Sequence, residues 1–261
     1  MRLEEKFAQL KKENKKAFIV YVPFGYPNIS ATKDICIALQ RAGVDAIELG
    51  IPFSDPLADG PIIQKATTQA LEKGANMDNF FLQVSKLKKH LKIPLVVMSY
   101  YNPIYKFGID RFFSKLEKLG INAVLTVDLP LEEASEYIEK AKKFNLDTIF
   151  FITPTTSGQR IKKIVKYSKG FIYYISVTGI TGPKTLKYLE LASHIRAIKK
   201  KTSVPVCTGF GIHTKEQVKK VSSFSDGVII GSQIVKFIEG NHKKKHFLRS
   251  LEAYVRGLCT K

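Results

Sequence analysis

No stretch of this 261-residue chain approaches the roughly 18 uninterrupted apolar residues that a membrane-spanning helix requires. Its opening residues, MRLEEKFAQLKKENKK, contain no apolar segment of the kind that directs export. These two absences set the expectation of a soluble, intracellular, cytoplasmic protein with no membrane partner. Cysteine is also scarce. Cys36, Cys207 and Cys259 lie far apart with no C-x-x-C, which argues against a disulfide framework and a zinc site and for reduced thiols packed as small hydrophobes.

Arginine is the third shortage. The net charge of +19 comes from 42 cations against 23 acids, yet only 7 of the cations are arginine. Proteins that read nucleic acid lean on arginine, whose planar fork grips phosphates and base edges at two points. The lysines here recur in pairs and triplets along nearly every helical segment, for example Lys11-Lys12, Lys88-Lys89 and Lys199 to Lys201. They read as solvated helix faces, so no nucleic-acid partner is expected, although the charge favours attraction of anions, phosphorylated small molecules included. Nucleophile and metal chemistry are equally poorly served. There is no Gly-x-Ser-x-Gly elbow, no lysine lies within an expected strand as a Schiff-base lysine would, and the one histidine pair at i,i+4, His242 and His246, flanks Lys243 to Lys245. Acid–base chemistry by carboxylates is what remains, with no metal or cofactor expected.

Against these shortages, 44% of the residues are hydrophobic, enough for one sizeable core. Short runs rich in Val, Ile, Phe and Tyr alternate with longer charged amphipathic stretches from end to end. Eight strands are expected near 17–22, 45–50, 94–99, 122–127, 147–152, 170–176, 204–208 and 226–230, with helical patterns between them. Strands without a polar face suit a parallel sheet covered by helices. Eight strand–helix units in this length predict a (β/α)8 (TIM) barrel over residues 1–261, a single α/β domain with extra helices at the N-terminus and after strand 2. An open doubly wound sheet is the alternative.

In such barrels chemistry gathers at the C-terminal ends of the strands. There, Glu48 interrupts an otherwise apolar strand, on the face it shares with Ala46 and Gly50. A carboxyl group at the mouth of an apolar barrel acquires a raised pKa and carries a proton at neutral pH. A Glu paired with a buried lysine is the plain alternative. Asp55 and Asp59 follow in a proline-rich loop, as acid–base groups, solvated acids or, for Asp59 ahead of Pro61, a helix N-cap. Late in the chain, Thr178-Gly179-Ile180-Thr181-Gly182, Gly209-Phe210-Gly211-Ile212 and Gly231-Ser232 sit at three consecutive strand ends, the place and chemistry of a phosphate site. Tyr21, Tyr100, Tyr101, Tyr173, Tyr174 and Phe210 fall near strand ends, where some of them would line a flat apolar pocket.

The runs ELGIPFSDPLADGPIIQ (48–64), MSYYNPI (98–104), DLPLEE (128–133), SVTGITG (176–182), TGFGI (208–212) and GVIIGSQIVK (227–236) follow one another in an order that resembles the tryptophan synthase alpha chain family over essentially the whole length. The resemblance implies retro-aldol cleavage of indole-3-glycerol phosphate to indole and glyceraldehyde 3-phosphate. It implies Glu48 as the main acid–base group with Asp59 as its partner, and a phosphate site at Gly182, Gly211, Gly231 and Ser232. The indole pocket would hold Tyr21, Val127, Ile152 and Phe210, with Tyr100 and Tyr173 near the reacting chain and Thr181 on a closing loop. It further implies a beta-chain partner that carries pyridoxal phosphate, in an α2β2 heterotetramer, with Pro52, Asp55 and Pro56 facing that partner; a plastid stroma is the alternative compartment if the chain is organelle-encoded. Pro23-Phe24-Gly25-Tyr26-Pro27 departs from the usual Thr-Ala-Gly-Asp-Pro of the family. Two rivals remain: another phosphate-binding barrel, such as a sugar-phosphate epimerase or a lyase that releases free indole unaided, and a silent subunit that only activates its partner.

Overall fold

The structure, a computed structural model, describes residues 1–175, 184–209 and 211–259. Parallel strands alternate with helices throughout: β1 (Ala17–Pro23), α2 (Ala31–Arg41) and β2 (Ala46–Gly50) follow an N-terminal helix α1 (Leu3–Lys12). Two helices, α3 (Pro61–Glu72) and α4 (Met77–Lys88), separate β2 from β3 (Leu95–Ser99), as the sequence led us to expect. The chain continues through α5 (Tyr101–Phe107), α6 (Ile109–Lys118), β4 (Ala123–Thr126), α7 (Ser135–Lys143), β5 (Asp147–Ile149), β6 (Phe151–Ile152), α8 (Gly158–Tyr167), β7 (Ile172–Ile175) and α9 (Lys184–Lys199). It ends in β8 (Val206–Gly209), α10 (Lys215–Ser222), β9 (Gly227–Ile230), α11 (Ser232–Asn241) and α12 (Phe247–Leu258).

All strand pairs are parallel, in the order β5-β4-β3-β2-β1-β9-β8-β7-β6. The two edges of that sheet, β5 and β6, are consecutive pieces of the expected fifth strand, parted at Phe150. The sheet therefore curls round until its ends meet in one strand position, which gives a nearly closed eight-position barrel. The expected strand 147–152 is thus two short ones.

Two apolar layers follow from period-two alternation. Ala17, Ile19, Ala46, Val96, Leu125 and Ile229 fill the barrel interior, while Phe18, Val20, Ile47, Leu49 and Val97 face the helices. The lower end is closed by α1. Leu3, Phe7 and Leu10 form its one apolar face, and Phe7 meets Phe171 with ring centroids 6.2 Å apart. Two ion pairs hold this plug, Arg2 to Asp147 and Lys6 to Asp45, both at 3.5 Å, and Asp45 also accepts the Phe18 N–H at 2.8 Å. No helix among the described residues is long and apolar enough to cross a membrane.

Candidate active site

Inward-facing positions at the upper ends of the strands enclose a cavity of about 520 Å³. Its walls are largely apolar, with Ile63, Met98, Val127, Phe151, Ile175 and Ile229 among the lining residues. A larger groove of about 700 Å³ lies at the opposite end between α1 and the strand starts; its two acids, Glu4 and Asp147, stand among Arg2, Lys11, Lys142 and Lys169, and Asp147 is tied to Arg2 in an ion pair. Chemistry therefore belongs to the upper cavity.

Glu48 is at its floor. Every residue of β2 is buried, and Glu48 is 1% exposed. Its Oε1 has no hydrogen-bond partner, and no cation pairs with it among the described residues, which removes the buried-lysine alternative. Burial disfavours the carboxylate and pushes its pKa to about 8. At neutral pH this side chain is a protonated acid, able to give a proton and, once ionised, to take one back.

Two tyrosines flank it. Tyr21 is the register partner of Glu48 across the β1–β2 ladder, and its ring lies against Gly50 so closely that a Cβ there would sit 2.5 Å from the Tyr21 hydroxyl oxygen. Tyr173 rests against Gly209 in the same way, where a Cβ would come within 2.8 Å of ring carbon Cε1. Gly50, on the same strand as Glu48, and Gly209 on β8 thus each seat an aromatic ring. Burial raises the pKa of both phenols well above the ordinary value, so both remain neutral hydroxyls beside the carboxyl.

Asp59 approaches from the loop between β2 and α3 and also lines the cavity. It is not the helix cap that its position allowed. Gly60 is the N-cap residue of α3, with Pro61 in the first turn and no side-chain cap. The Asp59 carboxyl accepts a hydrogen bond from Tyr100, whose hydroxyl in turn accepts the Ala58 N–H at 3.1 Å. Partial burial raises the Asp59 pKa, and the Tyr100 bond opposes that rise. Tyr100 therefore holds Asp59 rather than lining the cavity itself, and Phe53 braces the Tyr100 ring at 5.4 Å between centroids.

At the glycine-rich side, β9 runs into Gly231, the N-cap of α11, with no side-chain cap over the helix start. The N–H groups of Ser232 and Gln233 are among those a helix leaves without internal acceptors, and the Ser232 hydroxyl stands beside them. Gly211, with φ of +71°, turns the chain after β8 in a conformation that favours glycine. Gly211, Gly231 and Ser232 all line the cavity, so the expected anion site and the expected acid–base pair open into one space.

Among the remaining expected site residues, Tyr21, Val127 and Tyr173 line the cavity. Ile152 does not. It is fully buried in the outer layer against the helices, because the odd positions Ile149 and Phe151 face inward and alternation turns Ile152 away. Phe151 occupies the wall instead. Tyr174 likewise points outward and bonds His194 at 3.1 Å. Thr181, Gly182 and Phe210 lie outside the described residues. Sequence reasoning missed Ile63, Met98, Phe151 and Ile175; inward parity from Glu48, Tyr21 and Tyr173 was the signal that locates three of them.

With this geometry in hand, comparison with known proteins is specific. A family model described as "Tryptophan synthase alpha chain" matches residues 7–260. The chain is 40% identical to the tryptophan synthase alpha chain of Citrifermentans bemidjiense over 257 residues, covering 98% of this chain and 96% of that one. It is 40% identical to the corresponding chain of Thermoanaerobacter sp. strain X514, covering 98% of each. Among solved structures, tryptophan synthase subunit alpha from Legionella pneumophila superposes with a TM-score of 0.90 at 33% identity, covering 98% of this chain and 96% of that one. The aminoacrylate-bound tryptophan synthase from M. tuberculosis superposes with a TM-score of 0.87 at 30% identity, covering 98% of both chains.

Proposed function

Since the chain belongs to the tryptophan synthase alpha chain family, whose reaction is the retro-aldol cleavage of indole-3-glycerol phosphate, we propose that Glu48 and Asp59 carry that reaction here. The protein is a carbon–carbon lyase of tryptophan biosynthesis. The observation that carries the residue assignment is the buried carboxyl of Glu48, whose Oε1 has no hydrogen-bond partner, lining with Asp59 one cavity walled by apolar side chains.

The steps follow from the two environments. Glu48, protonated at neutral pH, delivers its proton to C3 of the indole ring, while Asp59 accepts the hydrogen bond of the ring N–H and stabilises the positive charge that develops there. C3 is then tetrahedral. The Glu48 carboxylate left behind takes the proton of the hydroxyl on the adjoining side-chain carbon. The C–C bond breaks, its electron pair restores the aromatic ring, and the hydroxyl carbon leaves as the aldehyde of glyceraldehyde 3-phosphate. One proton has moved from the hydroxyl to C3, so Glu48 ends as it began. Apolar walls keep the local dielectric low, which strengthens the Asp59 interaction with the ring nitrogen. The phosphate end of the substrate would rest on the Ser232 hydroxyl and the uncapped start of α11, with Gly211 giving close approach. Gly182, Thr181 and Phe210 complete that site in this reading.

A beta chain that uses pyridoxal phosphate is the proposed partner, in an α2β2 assembly, and indole is the product handed over. What supports the docking side is the loop of residues 51–60 at the cavity mouth, where Leu57 is an apolar side chain 87% exposed beside Asp55 and Pro56. We place the reaction in the cytoplasm.

Indole release from indole-3-glycerol phosphate, measured with and without a beta chain, tests the reading. Glu48→Gln and Asp59→Asn should each lower the rate by roughly 10²–10⁴. Parental rates in both variants would remove the carboxylates from the mechanism. No release by the parent under either condition would move the sugar-phosphate epimerase or silent-subunit alternatives to the front.

A further inference from the structure

A phosphate dianion held at the rim of this cavity meets an unusual lining. In a chain with 42 Lys and Arg, none lines the cavity among the described residues, and neither the segment 176–183 (SVTGITGP) nor Phe210 brings one by sequence. Two carboxyl groups line it instead. The charge of the ligand must therefore be met by hydrogen-bond donors, and these are few.

Helix α11 offers the Ser232 hydroxyl and its uncapped N–H groups. Helix α10, which starts beside the same rim, carries a side-chain cap that α11 lacks. The Gln217 Oε1 accepts the His213 N–H at 2.6 Å and the Thr214 N–H at 3.1 Å, and the Thr214 Oγ1 accepts the Gln217 N–H at 3.3 Å. This reciprocal cap takes up three of the backbone donors at that helix start, the N–H groups of His213, Thr214 and Gln217. The Gln233 amide is also committed, since it donates to the Tyr254 hydroxyl at 2.7 Å. One group remains. His213 lines the cavity two residues beyond Gly211, is exposed at its rim, and has no hydrogen-bond partner on either ring nitrogen among the described residues. It is also the only described lining side chain of a basic type.

We propose that His213 is a substrate-binding residue whose imidazole donates a ring N–H to a phosphate oxygen of the substrate. The proposal rests on the reading of the site given above and adds to it the side-chain cation that the cavity otherwise lacks. A neutral imidazole donates one such bond, and a protonated one adds charge to it. The Gln217 bond anchors the backbone of His213 and leaves the ring free to turn onto the ligand.

The test compares the full chain with its His213→Ala, His213→Asn and His213→Lys variants, each assayed with and without a beta chain. His213→Ala should raise KM for indole-3-glycerol phosphate about three- to tenfold, the range of a partly exposed charge-assisted bond, with kcat within about twofold of the parent. His213→Lys should return KM close to the parental value, and His213→Asn should fall between. Inorganic phosphate, titrated by calorimetry, should bind His213→Ala more weakly by a similar factor, while indole, which occupies the apolar end, should bind it equally well. Unchanged KM and unchanged phosphate affinity would overturn the proposal. Equal weakening of phosphate and indole would overturn it too, because the substitution would then have disturbed the whole cavity. A parent with no lyase activity would sink the proposed reaction alone, and the phosphate titration would still decide the His213 contact, weaker binding by His213→Ala supporting it and equal binding refuting it.

Discussion

Replacing Glu48 by glutamine should stabilise the fold at neutral pH, by an amount that grows as pH rises. Burial lifts the Glu48 carboxyl from 4.5 to about 8, so the folded chain keeps a proton that the unfolded chain has already released. The stability linked to that proton is fully present below the unfolded value and is lost as pH rises through the folded one. With about 1.36 kcal/mol for each tenfold difference in ionisation, the loss between pH 4 and pH 7 comes to about 3 kcal/mol. The glutamine amide has the same shape and no proton to lose, so the variant escapes this penalty while all other titrations cancel in the comparison. Thermal and urea unfolding of parent and Glu48→Gln, followed by circular dichroism at half-unit steps from pH 4 to pH 7, reads the effect directly. The gap in favour of the variant should widen by about 3 kcal/mol, or roughly 6–12 °C in Tm for a chain of this size. A gap that stays constant within about 1 kcal/mol across that range would mean that the folded carboxyl ionises like an exposed one, and the acid role derived from its burial would fall with it.

Cleavage itself should follow the same group: kcat/KM is expected to decline about tenfold per pH unit above about 8, as the free enzyme loses the Glu48 proton, and a rate that climbs through that range would contradict the acid role. Gly50→Ala should displace the Tyr21 ring, whose hydroxyl oxygen would lie 2.5 Å from the new Cβ. A cost of about 1–3 kcal/mol in stability with at least about a tenfold loss of activity is expected, and full activity would show that the Tyr21 ring has no positional role. Ser232→Ala should raise KM with little change in kcat, as removal of a ground-state phosphate contact does; a fall in kcat alone would place Ser232 elsewhere in the mechanism. Asp45→Ala, at the far end of the barrel, strips the Phe18 N–H of its acceptor and Lys6 of its ion partner. It should lower stability by about 3 kcal/mol and leave kcat untouched below the transition, and a silent effect on Tm would mean that the plug contributes little.

How far the sequence discloses this molecule depends on the residue. Glu48 stands out because a charge in an apolar strand needs a reason, and no cation among the described residues supplies one. Gly211 likewise announces a strand end, since its φ of +71° is one that few other residues adopt without strain. Ile152 misleads because the break at Phe150 is invisible in a continuous apolar run, and only the parity of Ile149 and Phe151 shows which face each side chain takes. Helix α5 escapes periodicity altogether. It is seven residues long, carries Pro103 in its first turn and follows β3 after one residue, so no amphipathic repeat has room to develop. The brace that Tyr100 gives Asp59 is a contact across 41 residues of sequence between two loops, which local pattern does not encode.

The plug helix α1 is made before every strand of the barrel and is among the last elements to find its seat. Its partners, Asp147 and Phe171, are about 140–170 residues away, and the strands that surround it close only when β9 joins β1. At a synthesis rate of about 5–20 residues per second, Leu3, Phe7 and Leu10 wait on the order of ten seconds or more for the surface that buries them. During that interval the charged face of α1, with Lys6, Lys11 and Lys12, is what keeps the nascent segment in solution. Part of the helix's composition is thus answerable to the growing chain, before any barrel exists for it to close.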